Sequence, residues 1–122
     1  MSTFNLSQIA SFENYVSDIQ SRSTNVYYVV GNTDIYTIDI TGNINLIMSI
    51  PEGITFMKVS KDESFIVLIT SDRDISVIKN PLTSPQHVQC TINDMPDYFT
   101  IYGMTINNSV NNPIIYIIYE YN

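Results

Sequence analysis

One strand-turn-strand unit occurs twice in this chain and begins a third time. Val26-Tyr27-Tyr28-Val29-Val30, Gly31-Asn32-Thr33 and Asp34-Ile35-Tyr36-Thr37-Ile38 lie over Phe65-Ile66-Val67-Leu68-Ile69, Thr70-Ser71-Asp72-Arg73 and Asp74-Ile75-Ser76-Val77-Ile78, a period of about 40 residues. Ile114-Ile115-Tyr116-Ile117-Ile118 repeats the first strand after a longer polar insertion. Each copy is a short run of β-branched and aromatic residues stopped by Gly, Asn, Asp or Ser, the signature of a strand entering a tight turn. Such a chain has few options besides antiparallel meanders.

The rest of the chain fits the same rhythm. Strands are expected over 25–30, 34–40 and 44–50, then, after Pro51-Glu52-Gly53, over 54–59, 64–70, 74–79 and 87–92. The last set is cut short at 98–106 and 113–121. A single domain is expected, in four parts: an N-terminal segment 1–21, a first unit 22–53, a second unit 54–95 and a partial third unit 96–122. In the N-terminal segment Leu6, Ile9, Phe12, Val16 and Ile19 recur at three- and four-residue steps, and Asn5 with Gln8 suits a capping box. That pattern predicts a short amphipathic helix over 6–19, whereas the repeat alignment favours an extended strand from Tyr15 to Gln20.

"KVSKDESFIVLITSDRDISVI" resembles the inner half of a blade in WD-repeat and YVTN-like β-propellers. There a strand, a Ser-Pro-Asp-Gly-like turn, an apolar strand, a short turn and a third strand follow in that order. Ser60-Lys61-Asp62-Glu63 stands at the first turn, with Lys61 in place of Pro and Glu63 in place of Gly, and the Gly-His and Trp-Asp pairs of true WD repeats are absent. The resemblance implies an all-β fold of antiparallel, propeller-like blades, with a β-sandwich as the alternative.

About nine or ten strands make only two and a half blades, whereas closed propellers use four or more blades of four strands. An open fan leaves a sheet face and a strand edge uncovered, which favours association with copies of the same chain or with a larger protein assembly. The terminal strand, apolar on both faces, is the expected contact, through Tyr116, Ile117, Tyr119 and Tyr121. Tyr27, Tyr28 and Tyr36 could serve an interface as well, or fill blade cores.

Charge and motifs narrow the chemistry. Twelve acids against five bases give a net charge of −7, which repels a phosphate backbone, so no nucleic-acid partner is expected. Cys90 is the only cysteine, and no disulfide framework follows. His87 and Cys90 are three apart, so on a strand they point to opposite faces and cannot share a metal or form a catalytic pair. The acidic turns Asp62-Glu63, Asp72-Arg73-Asp74 and Asn93-Asp94 with Asp97 lack the calcium-loop pattern. No phosphate-binding glycine loop occurs, and no catalytic, cofactor or metal residues are assigned.

Without a secretory leader or a run of about 18 apolar residues, the chain reads as cytoplasmic and not membrane-bound. Abundant Ile, Asn and Tyr, with Ala10 the single alanine, suits an A/T-rich genome such as that of a large DNA virus, a protist or a low-GC bacterium, and in the first case a place in the virion is an option beside the cytoplasm. The expected function is a non-catalytic, self-assembling interaction or structural module. The alternative is a small ligand- or calcium-binding or hydrolytic protein that uses the acidic turns.

Overall fold

A computed structural model describes residues 14–72, 74–90, 99–107 and 114–121. These form ten strands in three antiparallel sheets. The first sheet, in the order β1-β2-β3-β4, contains β1 (Val16–Ser21), β2 (Asn25–Val30), β3 (Asp34–Asp39) and β4 (Ile44–Ser49). The second repeats that order with β5 (Ile54–Val59), β6 (Phe65–Thr70), β7 (Ile75–Lys79) and β8 (Gln86–Cys90). The third is a hairpin of β9 (Phe99–Asn107) and β10 (Ile114–Tyr121).

Tight turns make the meanders. Gly31 and Asn32 both take positive φ, 62° and 64°, and Thr33 N–H donates to the Val30 carbonyl at 3.3 Å. That is the type I′ geometry, whose twist matches the strands it joins. Between the first two sheets Gly53 has φ 90°, a backbone region that side chains rarely adopt, and a Cβ there would press on Ser71 Oγ at 2.7 Å, so the linker favours glycine at that point.

The sheets stack by their apolar faces. Tyr27, Val29 and Ile35 of the first sheet close one core with Met57, Val59, Ile66, Leu68 and Ile78 of the second. The opposite face of the second sheet, with Phe65, Val67, Ile69 and Ile75, packs on Ile101, Met104, Ile106, Ile115 and Ile117 of the hairpin. Every residue of β6 is therefore buried, which explains why its sequence runs apolar without alternation. The layers approach most closely along their first strands, β1 to β5 and β5 to β9, so their later strands stand further apart.

The helix expected over 6–19 is corrected where it can be seen, while residues 6–13 lie outside the described residues. Val16–Ser21 is the edge strand β1, paired with β2 from Val16↔Val30 to Ser21↔Val26. A register irregularity between Val16 and Asp18 breaks the alternation of a strand, and the spacing of Val16 and Ile19 then imitates a helical one. Pairing with β2 satisfies the backbone and overrides that local pattern. Among the described residues no helix is long and apolar enough to cross a membrane.

Candidate interaction surface

The hairpin is where the stacking of sheets stops. Its inner side chains face the second sheet, and its outer face carries Tyr102, Ile114, Tyr116 and Ile118, exposed to 63%, 47%, 50% and 69%. The pairings Ile114↔Asn107, Tyr116↔Thr105 and Ile118↔Gly103 put these β10 residues on one side of the ribbon. A register irregularity between Ile118 and Tyr119 interrupts the ladder opposite Tyr102. The Tyr102 hydroxyl donates to the Glu120 carboxylate, and that bond holds the phenol proton above its ordinary range. Aromatic and β-branched groups thus share one exposed face of the ribbon, with the Glu120 carboxylate beside Tyr102.

Of the four residues expected at a contact, Tyr116 and Ile117 fall on opposite sides of β10. Tyr116 belongs to the outer face, and Tyr119 is partly exposed. Ile117 faces the other way, half-buried against the second sheet. The pairing of Tyr121 with Phe99 closes the ribbon. Ile118 was not singled out in sequence because both faces of IIYII are equally apolar, and only the stacking reveals which one is free. Of the tyrosines of the first unit, Tyr27 lies in the core between the sheets, while buried Tyr28 and half-buried Tyr36 stack at 5.6 Å on the far side of the first sheet.

A second feature ties the first two sheets together at one end. Gln20 Oε1 accepts the Val59 N–H at 2.6 Å, and Arg22 Nε donates to the Val59 and Ser60 carbonyls at 3.0 and 3.2 Å. From the opposite side Glu63, at φ 61° in the β5–β6 turn, accepts Ser23 Oγ at 3.3 Å, Thr24 Oγ1 at 2.9 Å and Asn25 Nδ2 at 3.4 Å. Its neighbour Asp62 is used within the turn, accepting Ser60 Oγ, Ser64 N–H and Ser64 Oγ at 2.8, 3.1 and 2.7 Å. The adjacent acids of this turn therefore point to separate tasks.

Tyr27 lies under this clamp. Burial first, and then the Glu63 carboxylate, push its phenol well above the ordinary 10.0, with Arg22 pulling back in part. In the unfolded chain that phenol ionises as pH passes 10, whereas the folded chain keeps the proton. The native state then binds more protons, so stability falls as pH rises above about 10. Denaturant titrations between about pH 9 and 11 should show this fall, made shallower by Tyr27→Phe; an identical slope in the variant would mean that Tyr27 is not the group responsible.

The groups that suggested chemistry do not converge. His87 Nε2 hydrogen-bonds Ser76 Oγ at 2.8 Å, while Cys90 packs with the hairpin side of the second sheet. Among the described residues no three His, Cys, Asp or Glu side chains are grouped to hold a metal ion. Arg73, Asp94 and Asp97 lie outside the described residues.

No family model and no curated protein matches the sequence. Among solved structures, the chain is similar to part of one chain in the complex of S. cerevisiae Dbp5 bound to Nup159, Gle1, IP6 and ADP, with a TM-score of 0.56 and 12% identity. The likeness covers 82% of this chain but only 29% of that one, and at such identity it concerns fold alone.

Proposed function

We propose that this chain is a non-catalytic interaction or structural module of propeller-like blades that associates with copies of itself through the outer face of the hairpin. The exposed surface of Tyr102, Ile114, Tyr116 and Ile118 carries this reading. Soluble monomers rarely expose apolar patches larger than a few hundred Å², and clustered exposed aromatic and aliphatic side chains mark contacts with other chains. Two meanders of equal order, closest along their first strands and spaced about 40 residues apart, support the blade description.

A sheet face that exposes Tyr102, Ile114, Tyr116 and Ile118 can meet the same face of a second copy across a two-fold axis, each burying the other's Tyr116 and Ile118. The absolute mass by light scattering behind a sizing column, at two concentrations, tests this. A discrete multiple of 13.9 kDa is expected, reduced to a monomer by Ile118→Asp with an unchanged circular dichroism spectrum. A monomer at both concentrations, or an Ile118→Asp oligomer of the original mass, would overturn the reading.

A further inference from the structure

A different surface, on the inner side of the hairpin, supports a second inference that does not rest on self-association. In each complete sheet the second strand, β2 or β6, is flanked on both edges, by β1 and β3 or by β5 and β7. β10 occupies the corresponding place in the third sheet, with β9 on one edge and, among the described residues, no strand on the other. Beside that edge a groove of about 450 Å³ opens between the hairpin and the second sheet, floored by Phe65, Val77, Val88 and Cys90 and bordered by Ile115 and Lys79. The groove thus lies where a third strand would continue the sheet over β7 and β8.

We propose that β10 and this groove form a strand-addition site for an extended segment of another protein, with alternating apolar residues and an acidic residue at its C-terminal end. An unpaired strand edge supplies a row of backbone donors and acceptors for such a segment, and an apolar floor selects its alternate side chains. All strand pairs of the described residues are antiparallel. A segment added in the same sense runs opposite to β10 and ends beside Ile114 and Ile115. There Lys79 is the one charged side chain among the described residues that line the groove, and an acid at the segment's end complements it.

The occupant is not a second copy of β10. In a two-fold pairing of two β10 strands both keep their inner faces on the same side of the ribbon, so a second β10 would arrive with its own second sheet beneath it. That sheet would have to share the space already held by β7 and β8. A free tail or loop carries no such layer.

The chain's own β3 supplies a probe, because Asp-Ile-Tyr-Thr-Ile-Asp takes the equivalent third-strand place in the first sheet and ends in Asp39. The C-terminally amidated, fluorescently labelled peptide is titrated into the full chain and followed by anisotropy and by amide exchange. Saturable binding with protection of alternate β10 amides is expected, weakened about tenfold or more when alternate peptide amides are N-methylated. Lys79→Glu should weaken it about three- to fivefold and should favour a peptide ending in Lys. Absence of saturation or equal binding of the N-methylated peptide would each overturn the site. Protection of β10 by rising concentrations of the chain itself would identify a second copy as the occupant and would overturn it as well.

Discussion

Ile117→Asp should release the hairpin from the second sheet, while Ile118→Asp, one residue later, should leave the fold intact. Ile117 packs with Val67, Ile69 and Met104 in the core under the hairpin. Removing its side chain forfeits about 1.5–3 kcal/mol of apolar burial, and a half-desolvated carboxylate adds about 1–3 kcal/mol. A total near 3–5 kcal/mol is a large share of the roughly 5–15 kcal/mol that holds a domain of this size. The first core, built on Tyr27, Val29, Ile66 and Leu68, contains no hairpin residue. The loss should therefore be sub-global, with amide exchange rising throughout β9 and β10 while β2 and β6 stay protected. Ile118 is exposed, and a surface change of this kind lies within about 0.5 kcal/mol. Equal destabilisation by the two variants would mean that the hairpin does not pack by the face assigned here.

The same pair shows where sequence reasoning reached its limit. Strands from β2 to β7 were legible because β-branched runs such as NVYYVV and FIVLIT end at Gly31-Asn32 and Ser71-Asp72, where turn chemistry is local. The separation of His87 from Cys90 followed from strand alternation alone. The face of β10 that packs was not legible, since Ile114, Tyr116 and Ile118 read no differently from Ile115 and Ile117 until a second layer chooses between them. β1 was obscured by its register irregularity. The groove beside β10 has no sequence signature because it arises from the unequal widths of stacked sheets. Glu63 is an intermediate case: its place in a turn that prefers glycine was visible, but its partners Ser23, Thr24 and Asn25 lie far away in the chain.

Glu63 therefore provides the second large effect, in which backbone and side chain act in opposite directions. Glu63→Ala removes the acceptor of three inter-sheet hydrogen bonds at a residue only 9% exposed. Bonds to a charged acceptor contribute more than neutral ones, yet two of these are long, so a loss of about 2–3 kcal/mol is expected. Alanine keeps the Cβ at φ 61°, a backbone region that costs a non-glycine residue about 1 kcal/mol. Glu63→Gly loses the same bonds and relieves that strain. It should be about 1 kcal/mol less destabilising than Glu63→Ala in urea titrations, the reverse of the order in an ordinary strand or helix. If glycine proves the worse substitution, the positive φ is not a constraint of the native turn. If neither variant is destabilised, Glu63 does not clamp the sheets and the Arg22 and Gln20 bonds to Val59 hold that end alone.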